Sequence, residues 1–154
     1  MADKLFDIYD DKGTKVVDGK PSPVTISGLS GNTTYKGYKA ANAGDTTAMA
    51  TLDDMTTTPG KPSLVVTAGD GKADFSITPA TGDGNAQRSY VVSYSTDGTK
   101  FTDIPEATTT GTIDGLTNGT AYTFKVVAKN SAGTSTASEA TAGTPTAPAS
   151  SPKA

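Results

Sequence analysis

Carboxylates are the side chains of this sequence whose chemistry best suits a catalytic or metal site. The 154 residues include no histidine and no cysteine, which excludes a histidine general base, a histidine or thiolate metal ligand and a Ser-His-Asp triad. The glutamates are Glu106 and Glu139, and glycoside hydrolysis would require one of them to face a second carboxyl across a cleft. Small β-rich domains seldom provide such a cleft at their edges. We therefore expect no catalytic residue and no enzyme activity.

Two polar clusters offer the oxygen atoms that Ca²⁺ prefers. They are Asp83-Gly84-Asn85 and Asp10-Asp11. Neither spacing matches a complete ligand set, and both are typical of turns, in which Asp and Asn side chains bond to nearby backbone amides. We expect no metal and no cofactor.

The composition favours thin cores built from small side chains. Aromatic residues make up 6% of the chain, tryptophan is absent and the mean hydropathy is -0.36. The chain also contains 17 glycines and 9 prolines, which separate short alternating segments. Short strands divided by turn residues are typical of an all-β sandwich or barrel.

The net charge, the length of the apolar runs and the N-terminal residues limit the possible partners and the expected location. The net charge is -3 and the pI is about 4.8, and no basic run is interleaved with aromatic residues, so we expect no nucleic-acid partner. No apolar run approaches the length of a membrane span. The N-terminus lacks the basic and apolar regions of a secretory signal, so we expect synthesis in a host cytoplasm without a signal peptide.

The clearest strand of the sequence lies within residues 115–133. Tyr122, Phe124, Val126 and Ala128 alternate with residues that are mainly polar, which predicts a strand with one buried face. Tyr122 follows Leu116 by six residues, a spacing that predicts a tyrosine corner, in which the hydroxyl bonds back to the backbone. This stretch predicts fold and not chemistry.

The chain contains an internal repeat. Leu29 and Tyr35 have the same separation as Leu116 and Tyr122, and the first copy lacks counterparts of the strands predicted at residues 64–68 and 73–78. An incomplete sandwich leaves an apolar face or a strand edge open to a partner. The alternative is that the second domain or the segment 46–52 covers it within the chain. The partner hypothesis predicts a docking surface formed by Phe6, Ile8, Tyr35 and Tyr38.

Further predicted segments complete the two halves. We predict short strands at residues 24–26 and 46–52, and a final strand at 134–141. Two prolines bracket a glycine at residues 59–62, which predicts a short, stiff linker. Residues 145–154 are predicted to form a Pro/Ala/Ser tail.

Residues 61–144 resemble a fibronectin type III domain. The elements that carry the resemblance are Pro62 and residues 90–98, 116–122 and 126–135. Phe75 stands in the strand where the family usually places a tryptophan. The resemblance implies a fibronectin type III-like sandwich over residues 63–144, with Phe75, Tyr90, Leu116 and Tyr122 as fold-defining residues.

Residues 1–58 look like a shorter immunoglobulin-like module. Residues 10–15 and 22–35 are similar to small immunoglobulin-like proteins encoded among the structural genes of tailed bacteriophages. The resemblance implies two antiparallel β-sandwiches in tandem and a non-enzymatic virion protein, a capsid decoration or accessory subunit on the particle surface. It implies a multicopy or homo-oligomeric protein that docks through residues 1–58 on the major capsid or tail-tube protein, with cell-surface glycans as further partners. Alternatives are a tail-tube or tail-fibre accessory protein, or a carbohydrate- or cell-wall-binding spacer module of a secreted bacterial protein.

Overall fold

A computed structural model describes residues 4–149, and every regular element among them is a β-strand. All strand pairs are antiparallel. The all-β prediction is confirmed. Within the described residues no helix exists that could cross a membrane.

The N-terminal module is a single four-stranded sheet with a two-stranded ladder beside it. The sheet order is β2-β1-β4-β5, and β3 pairs with β6. The strands are β1 (Leu5–Tyr9), β2 (Lys15–Pro21), β3 (Thr34–Tyr35), β4 (Lys39–Asn42), β5 (Ala50–Thr51) and β6 (Met55–Thr56).

A segment without strands covers the apolar face of this sheet. Ile8, Val17 and Tyr38 form the buried cluster, and Val24 and Ile26 pack against it. The strand predicted at residues 24–26 is wrong, because residues 22–33 contain no strand. The strand predicted at 46–52 is reduced to β5. Covering of the open face therefore comes from within the N-terminal module.

Asp7 holds both sides of the four-stranded sheet. Its side chain is fully buried and accepts hydrogen bonds from the Gly19 amide at 2.8 Å and the Gly44 amide at 3.1 Å. The Lys15 ammonium lies 2.9 Å from the second carboxylate oxygen. Donation from Lys15, and then from Gly44 and Gly19, lowers the pKa of Asp7 to about 2. A buried carboxylate is tolerated here because its oxygens receive several donors.

The second module is a sandwich of two sheets. One has the order β10-β9-β12-β13 with β14 also paired to β12, and the other has the order β11-β8-β7. The strands are β7 (Ser63–Gly69), β8 (Lys72–Thr78), β9 (Ser89–Ser95), β10 (Thr102–Ala107), β11 (Thr110–Asp114), β12 (Tyr122–Asn130), β13 (Gly133–Thr134) and β14 (Thr141–Gly143).

The core of the second module lies between these two sheets. The four residues expected to define its fold, Phe75, Tyr90, Leu116 and Tyr122, all belong to the buried cluster. Gly111 has no side chain because a Cβ there would lie 2.6 Å from the ring of Phe75. The aromatic ring at position 75 and the glycine opposite it form one packing unit.

Both tyrosine corners are present. The Thr117 amide donates to the Tyr122 hydroxyl at 3.1 Å, and the Ser30 amide donates to the Tyr35 hydroxyl at 2.7 Å. Each donor directly follows the leucine of the repeat. The predicted corner and the predicted equivalence of the two loops are confirmed.

The final strand is shorter than the sequence predicts. It is divided into β13 and β14, and between them the Ala128 and Val126 amides of β12 donate to the hydroxyls of Ser135 (2.9 Å) and Ser138 (3.1 Å). Serine hydroxyls that accept from backbone amides compete with regular strand pairing. The segment stays attached to β12 without forming a continuous ladder.

The linker and the start of the tail are fixed to the second module. The Gly60 amide donates to Asp83 at 2.9 Å, and Pro62 is fully buried. Pro145 is also buried and accepts from the Gly119 amide at 2.8 Å. Residues 145–146 are therefore not part of a free tail. Residues 150–154 of that prediction lie outside the described residues.

Candidate functional site

The junction between the two modules is built around Asn32. This residue is fully buried and has a positive φ of 44°. Its side-chain amide nitrogen donates to the carbonyls of Gly84 (3.1 Å) and Ala86 (2.7 Å). Its side-chain oxygen accepts from Asn130 Nδ2 at 3.0 Å. One buried amide of the first module therefore uses both its donors and its acceptor on the second module.

Further hydrogen bonds between the modules lie around the Asn32 side chain. The Ala86 amide donates to the carbonyl of Asn32 at 3.0 Å, and the Gly84 amide donates to that of Gly31 at 2.8 Å. Asn130 Nδ2 also donates to the carbonyl of Thr57 at 2.8 Å. The two modules thus exchange hydrogen bonds of both polarities.

Glycines allow the backbones to approach closely at the junction. A Cβ on Gly31 would lie 2.5 Å from Asp83 Oδ1, and one on Gly84 would collide with Thr33 Oγ1. A Cβ on Gly60 would lie 2.6 Å from Ala80 Cβ. The absence of a side chain at Gly31, Gly60 and Gly84 therefore permits these close contacts.

The two clusters considered as calcium ligands have structural roles. Asp83 accepts from the Gly60 amide and, at 3.1 Å, from Arg88, and its side chain is 4% exposed. Asp10 accepts from the amides of Lys12 (3.0 Å) and Thr14 (2.7 Å) in the turn between β1 and β2. Over residues 4–149 no group of three metal-ligating side chains exists.

A polar groove of about 490 Å³ lies beside Asn32, with walls from both modules. Glu106 in its wall has a positive φ of 55°, at the register irregularity between β9 and β10. Hydroxyl, amide and charged groups of this kind can bind a hydroxylated ligand by hydrogen bonds. The lining residues are Thr34, Thr56, Ala86, Gln87, Arg88, Ser89, Glu106, Lys129, Asn130 and Ser131.

The predicted docking residues do not form one exposed surface. Ile8 and Tyr38 are 4% and 8% exposed and belong to the core of the N-terminal module, so neither is available to a partner. Phe6 and Tyr35 are half-buried, and the ring of Tyr35 packs edge-to-face on that of Tyr38 at 5.9 Å. The cover that residues 24–26 provide was not expected.

The exposed apolar groups of the N-terminal module lie elsewhere. Leu5 and Val16 are 42% and 43% exposed. Leu5 pairs with Pro21, and Phe6 and Pro21 line a second hollow of about 450 Å³. The register places Phe6 opposite Asn42, at the far end of β4 from the loop that holds Asn32. Leu5, Phe6 and Pro21 therefore lie at the end of the sheet distant from the junction, whereas Val16, beside the Tyr9–Lys15 pair, lies at the other end.

Two of the edge strands, β2 and β10, are protected against strand addition. β2 carries Lys15, Lys20 and Pro21 along its free edge, and β10 carries Pro105 and the positive-φ Glu106. Charges, prolines and irregular backbone on edge strands oppose pairing with another chain. Strand addition at β2 and β10 is thus opposed.

The chain belongs to the fibronectin type III domain family, whose model matches residues 59–144. A fibronectin type III domain of human fibronectin type III domain containing protein 3 is 26% identical, with a TM-score of 0.52, and the match covers 60% of this chain and 90% of that domain. The sixth such domain of the same human protein is 19% identical with a TM-score of 0.53, covering 64% and 97%.

One solved structure is similar over most of the chain. The rat CD45 extracellular region, domains d3-d4, is 16% identical with a TM-score of 0.58, and the match covers 88% of this chain and 78% of that one. At this identity the similarity shows the fold alone. No curated protein sequence matches the chain.

Sequence reasoning did not identify Asn32 and Asn130 as junction residues. Asn130 appears in the sequence only within residues 126–135, which carry the family resemblance. The available signal was the repeat itself, because Asn32 occupies the position of Gly119 in the second copy. A polar side chain in place of a turn glycine indicates a role for that side chain.

Proposed function

We propose that this protein is a non-enzymatic virion structural protein of a tailed bacteriophage, a capsid decoration or accessory subunit displayed on the particle surface. The observation that carries the proposal is the unequal pair of modules, in which a reduced sheet is fastened to a complete fibronectin type III sandwich. A binding or spacer role fits this family, and the sequence resemblance of residues 1–58 supports the phage setting. The tail tube is the alternative lattice.

The apolar end of the N-terminal module is the proposed docking surface. Leu5 is exposed there, and Phe6 and Pro21 line the adjacent hollow. The second module extends from the opposite end of that sheet, where Asn32 contacts it. Many copies on a symmetric lattice would sum weak single contacts into stable attachment.

Cosedimentation with capsid shells tests this surface. The shells are assembled from the major capsid protein of the phage that encodes the chain. We expect the full chain to pellet with shells and the Leu5→Asp variant to bind at least about tenfold more weakly, because an interface over this position would bury an unpaired charge. Val65→Asp is the matched control, since Val65 is the exposed apolar residue of the second module, at 63%. Equal loss in the control, or no binding of the wild-type chain, would contradict the proposal.

The junction groove favours a second function, binding of a hydroxyl-rich saccharide. Arg88, Gln87 and Glu106 line it, and planar polar groups of these types can bond to two neighbouring hydroxyls. Single sites of this kind bind weakly, and display in many copies would raise the avidity. A glycan array probed with multimerised full chain tests this function. Lys129→Gln should weaken any signal, whereas Lys125→Gln, whose lysine lies 3.6 Å from the Phe101 ring centroid, should not.

A further inference from the structure

The two loops of the repeat differ at one position that matters for the junction. The backbone amide of Asn32 donates to the carbonyl of Thr58 at 2.9 Å, and the backbone amide of Gly119 donates to that of Pro145 at 2.8 Å. The same spacing in the chain separates Asn32 from Gly119 and Thr58 from Pro145. Both residues have positive φ, 44° and 79°. Asn32 therefore occupies a turn position that the second copy fills with glycine.

The hydrogen bonds of its side-chain amide explain why this position carries asparagine. A non-glycine residue at positive φ carries a conformational cost, which asparagine tolerates better than most residues. Glycine would satisfy the turn without that cost. The side chain of Asn32 makes no use of its own module, since its three hydrogen bonds go to Gly84, Ala86 and Asn130.

One end of the fibronectin type III sandwich provides the hydrogen-bonding groups that match the Asn32 side chain. The carbonyls of Gly84 and Ala86 receive the two amide protons, and Asn130 donates to the remaining oxygen. Asn130 is itself fixed, because its side-chain oxygen accepts from the Ala132 and Gly133 amides at 2.9 and 3.2 Å. The Asn130 donor is thus preorganised by the turn that follows β12.

The N-terminal module needs this support. Its buried cluster comprises Ile8, Val17 and Tyr38, and one sheet carries it. Domains of this size bury too small a fraction of their surface to be more than marginally stable. The hydrogen bonds of Asn32 add stability only while the second module is folded.

We infer that the carbonyls of Gly84 and Ala86 together with Asn130 form an intramolecular docking site for the Asn32 side chain, which locks the two modules in one orientation and makes folding of the N-terminal module depend on the second. While this contact, the lock, is intact, the two modules unfold together. Without it, the N-terminal module unfolds first. This inference concerns the chain itself and stands whether or not the particle proposal does.

Calorimetry of the full chain with the Asn32→Gly variant tests the lock. Glycine keeps the positive φ and removes only the amide. We expect the wild type to unfold in one transition and Asn32→Gly to show an earlier transition with about a third of the enthalpy, since unfolding enthalpy scales with residue number. Amides of β4 should exchange at least about tenfold faster in the variant, while those of β12 stay unchanged.

Asn118→Gly is the matched control. Asn118 lies in the equivalent loop, and its side chain bonds within the second module, to the Gly71 amide at 2.9 Å and Asp70 at 2.7 Å. This variant should keep the single transition. Equal behaviour of Asn32→Gly and Asn118→Gly would overturn the inference.

Asn32→Asp keeps the test decisive if Asn32→Gly leaves the N-terminal module unfolded. At neutral pH its carboxylate would face the carbonyls of Gly84 and Ala86 and repel them. A protonated carboxyl can donate to one of these carbonyls. We expect the β4 amides to regain protection as the pH falls from about 7 to about 4. No recovery of protection, with the second module still folded, would contradict the role assigned to the side chain.

Discussion

The fibronectin type III module and the N-terminal module solve the same packing problem with unequal means. In the fibronectin type III module, two sheets pack across 12 buried apolar side chains. In the N-terminal module, a segment without strands covers a single sheet over a cluster of three buried side chains. The larger core stabilises itself through burial of apolar area. The smaller module relies on the buried polar groups Asp7 and Asn32. The difference shows that removing a sheet shifts stability from packing to specific hydrogen bonds.

The strand after the tyrosine corner shows the same contrast. β12 runs without interruption from Tyr122 to Asn130 and pairs with β9 over seven residue pairs. In the N-terminal module the corresponding strand is divided into β3 and β4 around Gly37, whose φ is 70°. The interruption leaves two short ladders in place of one long one.

Core truncations should separate the two modules most clearly. Phe124→Ala should destabilise the second module by about 3–5 kcal/mol, and Ile8→Ala should destabilise the N-terminal module by about 2–4 kcal/mol, because each removes a buried side chain. Since the N-terminal module depends on its neighbour, Phe124→Ala should lower the denaturation midpoint of both modules and Ile8→Ala only that of the first. Site-resolved hydrogen exchange in urea measures both. Loss of both modules in Ile8→Ala would reverse the assigned dependence.

Acid should destabilise the N-terminal module through Asp7. Its pKa is lowered from 3.8 to about 2 in the folded state, so the unfolded chain takes up a proton first as the pH falls. The stabilisation is therefore complete above about pH 4 and is lost as the pH falls towards about 2. Thermal unfolding monitored at β1 amides should show this step in the wild type and not in Asp7→Asn. Asp10→Asn, in the neighbouring turn, should retain it.

The smallest expected effect is a gain in the larger module. Among residues 4–149 the Tyr90 hydroxyl is the buried side-chain polar atom without a hydrogen-bond partner. Tyr90→Phe removes it and keeps the ring, so we expect the second module to gain about 0.5–1 kcal/mol. Urea unfolding measures the gain. A loss of stability would indicate that the hydroxyl has a partner in solution.

The sequence predicts what depends on local pattern. Alternation identified β12, and the leucine-to-tyrosine spacing identified the corner at Tyr122. Tyr35 has the same spacing but was predicted as a docking residue, and the structure shows it in a second corner. The strand predicted at residues 24–26 failed because Val24 and Ile26 pack against the sheet without pairing with it. The final strand was shortened by Ser135 and Ser138, whose hydroxyls replace ladder partners. These outcomes depend on tertiary contacts that periodicity does not encode.

The junction could not be derived from local pattern for the same reason. Asn32 and Asn130 lie in separate halves of the chain, and their bond exists only after both loops are in place. Ile8 and Tyr38 were correctly assigned to an apolar face, but the face is covered by the module's own residues. The sequence signal for Asn32 is its difference from Gly119 at the equivalent position of the repeat, and it was not recognised.

Residual dipolar couplings of the full chain test the fixed orientation of the two modules most directly. Couplings from the amides of β1 and β4 and from those of β9 and β12 each define an alignment tensor. We expect one common tensor for the wild-type chain and two different tensors for Asn32→Gly. Two independent tensors in the wild type would show that the modules reorient freely and would contradict the lock at Asn32.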